Sequence, residues 1–504
     1  MRVRHRAAIV LCLAVAIAAQ AARAQAPATP EDFARRQYDS GQEFLRSGKY
    51  IEALKDFQAV VDSYPGSSVA DDAMLAIARY QLDVARDPAA AQVTAEALLK
   101  KFPTSDSIPM AYVIAGQAMV ARSTAPANVE AALASFERVP RLFPGSEAVA
   151  PAVFAAGDTL KRLGRCPEAL ERFDQVLMEY PRTVWASEAR LSSAECLVAS
   201  SRATDAMSTL QSVIAANPGS PQASIAREWN AILYRLYLRV PAQPAFQFAD
   251  RTVAGASGKL RDISAVALSP TGSLFVGTKA GVTEMDAKGT AVRSFGNQEV
   301  RALFVDAHGS LVTLQKAVLQ QEENAGASAG LITLTAPRDN GQAKVLEDLS
   351  AVVVLSTGDR IVADRGTRAA YRFDSTGKYI APFAAVRANR MAVGPGDLVV
   401  MLDRDNKNVI VVDRGGKSLV KILGRGQGYE LSNPSDVAFD DLGHVYVLDR
   451  SAVLVFTQDG KLLTSFSPPQ NTTGSFRDAS AFALDQAGRL FIYDEHNERV
   501  QVYQ

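Results

Sequence analysis

Cysteine is scarce in this chain of 504 residues: there are three, Cys12, Cys166 and Cys196, too few to staple a protein of this length. Histidine is nearly as rare, with four residues, which leaves little material for a metal centre built on imidazole. Charge of one sign is missing too. The 54 Lys and Arg balance 54 Asp and Glu, so no global field favours nucleic acid. There is no long low-complexity tract, and beyond the first thirty residues no apolar run approaches the ~20 residues that span a bilayer. What remains is an ordinary globular composition, 48% hydrophobic, in a chain long enough to bury more than one core.

The N-terminus reads as a targeting segment. In "MRVRHRAAIVLCLAVAIAAQAARAQA" Arg2, Arg4 and Arg6 precede an apolar run that ends in small residues, the layout of a secretory signal peptide over residues 1–26. Cleavage after Ala24 or Ala26 fits the small-x-small rule. Cys12 follows Leu11 and lies deep in the apolar run, which argues against lipid attachment there; an uncleaved anchor is the alternative, and its run is short for one. Losing Arg2, Arg4, Arg6 and Arg23 takes 54 basic residues to 50 against 54 acidic, so the exported chain is mildly anionic. A secreted protein is implied, periplasmic or extracellular, in an oxidising space.

From residue 31 to 240 one phrase returns: "YPGSSVADDA", "FPTSDSIPMA", "FPGSEAVAPA", "YPRTVWASEA" and "NPGSPQASIA". Their prolines, Pro65, Pro103, Pro144, Pro181 and Pro218, are 38, 41, 37 and 37 residues apart. A fixed period of this size marks a repeat architecture. Upstream of the prolines a small residue precedes a large one by four: Ala53 and Phe57, Ala132 and Phe136, Ala169 and Phe173, Ala206 and Leu210. Earlier still stand Gly41, Gly116, Gly157 and Ala194, where two helices must approach closely. This pattern resembles the tetratricopeptide repeat (TPR), and the "P-G-S" extension is similar to repeats of the BamD and Tol-associated periplasmic type. The resemblance implies an α-solenoid whose concave face holds a protein or peptide partner. In the repeat register Cys166 begins one helix and Cys196 lies toward the end of the next, so the two are neighbours, either as a disulfide or as two inert buried thiols.

After "RVPAQPAF" the helical period gives way to short strands over residues 245–504. Six segments share two alternating strands about a glycine turn, at Gly272, Gly309, Gly358, Gly396, Gly443 and Gly488; five are followed by a second hairpin, turning at Gly289, Gly341, Gly377, Gly416 and Gly460. Four strands repeated about every 43 residues make a propeller blade. The sixth unit runs out after three strands, leaving the edge "RVQVYQ" bare, and residues 246–255 have no hairpin partner of their own. Pairing the two closes a six-bladed ring and removes the edge. "DLGHVYVLDR" and "YDEHNERVQVY" resemble the NHL repeat; the earlier blades fit it less well, and blade two carries an insertion at 321–330.

Propeller enzymes such as gluconolactonase-like hydrolases and the peptide-amidating lyase hold a metal in the central tunnel. Here His308, His444 and His496 occupy different offsets in three blades and do not converge. No cofactor is implied. A different set does repeat: Lys279, Lys316, Arg365, Arg404 and Arg450 follow the second strand of five successive blades, with Glu495 in the sixth. Equivalent positions share one circle, and five cations on it suit an anionic glycan, peptide or lipid head group. The alternative is that Arg365, Arg404 and Arg450 pair with the preceding Asp364, Asp403 and Asp449 and only fix the loop. The reading is a non-enzymatic envelope scaffold, two-domained, with a TPR array for a protein partner and a propeller for a second ligand. Its rivals are a propeller hydrolase or lyase with a TPR docking arm, and a carbohydrate or cell-wall binding module.

Overall fold

The computed structural model describes residues 29–123, 125–239, 244–254, 259–306, 309–322, 330–337, 342–426, 428–469 and 472–504. The signal peptide expected at 1–26 and His308 lie outside the described residues. Eleven described helices come first: α1 (Pro30–Arg46), α2 (Tyr50–Ser63), α3 (Ala70–Asp83), α4 (Pro88–Lys101), α5 (Ile108–Arg122), α6 (Pro126–Leu142), α7 (Val149–Arg162), α8 (Cys166–Glu179), α9 (Val184–Ala199), α10 (Ala203–Ala216) and α11 (Pro221–Leu233), the last continuing as a π-helical turn, Tyr234–Arg239. They form a TPR-like region over 30–239. No described helix is long and apolar enough to cross a membrane.

The periodic prolines end helices. Tyr64, Phe102, Phe143 and Tyr180 are the C-cap residues of α2, α4, α6 and α8, and the proline after each stops the helical ladder. The small residues also act as their spacing implies. A Cβ built on Gly41 would stand 2.7 Å from the ring of Phe57, one on Gly116 2.5 Å from Phe136, and one on Gly157 2.6 Å from Phe173. Those three rings are almost wholly buried. Gly116→Ala is therefore expected to destabilise by about 1–2 kcal/mol, overpacking outweighing alanine's better helix propensity. Chemical denaturation checks this, and adding Phe136→Leu to the variant should recover most of the loss.

The chain divides into two compact units between Ala152 and Val153. In the second, the strands form six four-stranded antiparallel sheets. Five are built in sequence order, in residues 265–295, 302–333, 349–384, 390–422 and 434–466, blades one to five. Blade six joins Ala479–Leu484, Leu490–Asp494 and Arg499–Tyr503 to the strand Phe248–Val253 from the start of the domain. That strand pairs antiparallel with the last one, Phe248 opposite Tyr503 and Val253 opposite Val500. The inner strands of successive blades adjoin around the ring, blade six against blade one.

Blade two departs from expectation. Its fourth strand is Ile332–Thr333, and Thr335–Pro337 pairs separately with Ala343–Val345 as an extra ribbon. The last two strands of this blade, Val318–Glu322 and Ile332–Thr333, pair with each other, and Gly341 lies outside the described residues. The cause is the apolar alternation of Ile332, Leu334 and Ala336, which packs with Leu346, Val362 and Phe373 between blades two and three.

Helices α9–α11 and the propeller share one core. Leu210, Val213, Ile232, Leu233 and Leu236 pack in a single cluster with Phe246, Tyr446, Phe476, Leu490 and Tyr503.

Candidate functional site

In the first unit the odd-numbered helices carry a groove with a cavity volume of 560 Å³. Residues 72, 75, 76, 79, 80 and 83 line it from one face of α3, the face that spacings of three and four produce. Tyr38, Gln42 and Leu45 of α1 face them, Ser107 and Met110 come from the start of α5, and Ser146 to Ala148 close the end. The floor is apolar at Leu45, Leu75 and Met110. The rim is acidic: Asp72, Asp83, Asp106 and Glu147 against Arg79, four carboxylates to one cation among the described lining residues.

Burial, then the neighbouring Asp71 and Asp106, raises the carboxyl pKa of Asp72 despite a 2.8 Å hydrogen bond from the Ser107 hydroxyl. Burial likewise raises Asp83, and burial with Asp72 raises the Tyr38 phenol. The two carboxyl shifts mark places where negative charge is held at a cost and a cation would be welcome. Asp71, Asp72 and Asp106 bring one oxygen each within 4.8 Å of one another, but Asp71 and Asp72 already accept the hydroxyls of Ser105 and Ser107, which fastens the loop before α5 onto α3.

The rim cations of the propeller follow the second strands of their blades. Lys279 pairs with Asp262 at 2.9 Å, Arg365 with Asp348 at 3.0 Å and Arg450 with Asp478 at 2.9 Å. Lys316 is exposed, and the Glu495 amide donates to the Asp478 carbonyl at 3.1 Å. The Arg-to-preceding-Asp pairing is not formed. Asp364, Asp403 and Asp449 are buried and accept backbone N–H groups instead, from Asp348 and Thr367, from Asn406, and from Ser432 and Asn433. A carboxylate one residue back on an extended chain points to the other face of the sheet, whereas Asp262, Asp348 and Asp478, just before or within three residues of their inner strands, lie at the same end of the ring as the cation.

Among the described residues, His444 and His496 do not converge. His444 precedes the second strand of blade five and His496 follows that of blade six, so they lie on opposite faces of the ring. His444 is buried in a chain of polar contacts that ties the helices to the propeller. Tyr237 donates its hydroxyl to Nε2 at 3.0 Å, Nδ1–H donates to Asp440 at 2.8 Å, and Asp440 also accepts from the Tyr446 hydroxyl and from the amides of Leu442 and His444. Burial raises the pKa of both phenols, and Asp440 adds to it. Beside them Arg235 donates to the Gly488 carbonyl at 2.9 Å and stacks 5.1 Å from the Phe246 ring. Cys166 and Cys196 form a disulfide with Cα atoms 5.2 Å apart, joining α8 to α9.

The central channel has a cavity of 200 Å³ lined by the inner strands. Its described lining is apolar, alanines such as Ala265, Ala302 and Ala351 alternating with larger side chains such as Phe304, Phe439 and Phe482, with Arg390 and Asp436 as the charged members. Neither stood out in the sequence, because each is a single departure from the blade pattern; aligning the inner strands by register would have exposed both.

Comparison with known proteins divides along the same lines. Residues 30–152 match a family model described as YfiO, outer membrane lipoprotein, and residues 160–228 match the tetratricopeptide repeat model. No curated protein matches the chain. Among solved structures the chain is similar to a gluconolactonase from Xanthomonas campestris (18% identity, TM-score 0.39, covering 49% of this chain and 86% of that one). It is also similar to virginiamycin B lyase from Staphylococcus aureus (11%, 0.35, 51% and 88%) and to an auxiliary nutrient binding protein from Bacteroides thetaiotaomicron (12%, 0.38, 49% and 69%). At such scores these likenesses bear on neither chemistry nor substrate.

Proposed function

We propose that the chain is a non-enzymatic adaptor of the bacterial cell envelope. Its helical groove grips a segment of a partner protein, and its propeller presents a second binding face. The observation that carries this reading is the groove itself: an apolar floor at Leu45, Leu75 and Met110 under a rim of four carboxylates and one cation, within the residues that match the YfiO family. That combination suits an amphipathic segment bearing Lys or Arg along one edge, which buries its apolar side chains and relieves the crowded acids. The expected signal peptide supports export to the periplasm or beyond, and the outer-membrane description of the matched family supports an envelope role. The NHL-like phrases of blades five and six support the propeller as a binding platform.

Charge reversal tests the groove. Asp72→Lys combined with Asp106→Lys should reduce recovery of partner with the purified full chain at least tenfold, while Asp205→Lys, an exposed residue of α10, should leave it unchanged. Equal recovery from both variants would reject the groove as the partner site.

A further inference from the structure

Register makes the six blades comparable residue by residue. The inner-strand residues at one level of the channel are Ala265, Ala302, Ala351, Arg390, Asp436 and Ala481, paired with Gly277, Leu314, Ala363, Leu402, Leu448 and Tyr493. Four alanines are interrupted by an adjacent arginine and aspartate in blades four and five. Three residues earlier in each blade stand Asp262, Glu299, Asp348, Arg387, Asn433 and Asp478. The acids that neutralise the rim cations are therefore missing from the same two blades, where Arg387 and Asn433 replace them.

The consequence falls on Arg404, the rim cation between those positions. Lys279, Arg365 and Arg450 each have a carboxylate within 3.0 Å. The Arg404 guanidinium has none among the described residues; only its backbone is held, the N–H by Asn389 Oδ1 at 2.9 Å and the carbonyl by the Lys407 amide at 3.3 Å. Beside it Arg390 reaches across the mouth of the channel. Its Nη2 donates to the Ser264 carbonyl of blade one at 2.8 Å and its Nη1 to the Asn389 carbonyl at 3.1 Å. Its Nε is buried without a hydrogen-bond partner, 3.8 Å from an Asp436 carboxylate that already accepts the amides of Val437 and Phe482. The mouth thus holds two neighbouring guanidinium groups under-supplied with acceptors, whereas the rim cations Lys279, Arg365 and Arg450 are paired.

We propose that this mouth, at Arg390 and Arg404, binds an organic monocarboxylate with a slender body, such as the terminal carboxylate of a peptide ending in small residues. The planar fork of a guanidinium matches a carboxylate. Asp436, Glu495 and Asp405 also act on Arg404, and carboxylates this close disfavour a phosphate dianion more than a single carboxylate. The 200 Å³ cavity beside Arg390, walled by alanines and by Phe304, Phe439 and Phe482, admits a narrow chain and excludes a bulky one. The inference rests on the reading of the propeller as a second binding face and is independent of the groove. Loss of carboxylate binding with partner recovery intact, or the reverse, separates the two.

Titration of the purified full chain with N-acetyl-Ala-Ala, its C-terminal amide and inorganic phosphate tests it. The free acid should bind saturably, the amide and phosphate at least tenfold more weakly. Arg404→Gln, an exposed site whose melting temperature should not move, should weaken the acid at least tenfold; Arg404→Lys should lose less; and Lys279→Gln, a cation already paired, should match the parent. No saturable binding of the acid, equal binding of the amide, tighter binding of phosphate, or equal effects of Arg404→Gln and Lys279→Gln would each overturn the proposal.

Discussion

Deleting residues 499–504 abolishes the cooperative unfolding of the propeller. These residues are the strand of blade six that lies between Leu490–Asp494 and the closing strand Phe248–Val253, so their loss exposes two edges and frees the closing strand. Val500, Val502 and Tyr503 are almost wholly buried, and the Tyr503 ring packs 5.3 Å from Phe466, 5.7 Å from Phe476 and 5.8 Å from Phe248. Removing a buried side chain of this size costs about 2–5 kcal/mol, so three together reach the ~5–15 kcal/mol that holds a domain folded. Calorimetry should show the propeller transition missing, with the helical signal of residues 30–152 retained by circular dichroism. An unchanged transition would show that the ring is not closed by these two strands.

The second large effect is at Asp440. Its carboxylate accepts the amides of Leu442 and His444, the imidazole of His444 and the hydroxyl of Tyr446, all in a buried setting. Asp440→Ala leaves those donors unsatisfied and lets His444 turn away from Tyr237, the contact that crosses from the helices to the propeller. A cost of about 3–5 kcal/mol follows from stripping one acceptor from several buried donors. Urea denaturation followed by tryptophan fluorescence should show it, because Trp229 is buried in the shared core of helices and blades. Asp440→Asn, which keeps one carbonyl oxygen, should cost less. A loss under 1 kcal/mol for the alanine variant would mean that the polar chain does not fasten the helices.

What could be read from the sequence was whatever repeats. Prolines after Tyr64, Phe102, Phe143 and Tyr180, and glycines under Phe57, Phe136 and Phe173, recur because every unit must stop and cross in the same way. The turn glycines recur because each blade turns through a left-handed residue; Gly272, Gly358 and Gly443 have φ near +85°. The closing strand was legible by elimination, since an unpaired apolar edge at 499–504 required a partner.

What could not be read was whatever happens once. Tyr237 and His444 are 207 residues apart, and no period connects them. The pairing of Arg450 with Asp478 runs between neighbouring blades, so the preceding Asp449, adjacent in sequence, misleads. Blade two hides its fourth strand because that strand, Ile332–Thr333, is only two residues long and is followed at once by the extra ribbon of Thr335–Pro337. The groove was legible only as the concave face of a repeat array, because its acids, Asp72, Asp83, Asp106 and Glu147, come from three different repeats.

The account depends on the groove holding a partner, and a photocrosslinking residue placed there in the living cell tests this most directly. From position 76 on α3, inside the groove, one discrete adduct is expected, and it should disappear when Asp72→Lys and Asp106→Lys are added; position 55 on exposed α2 should give none. No adduct from position 76, or the same adduct from position 55, would contradict the account.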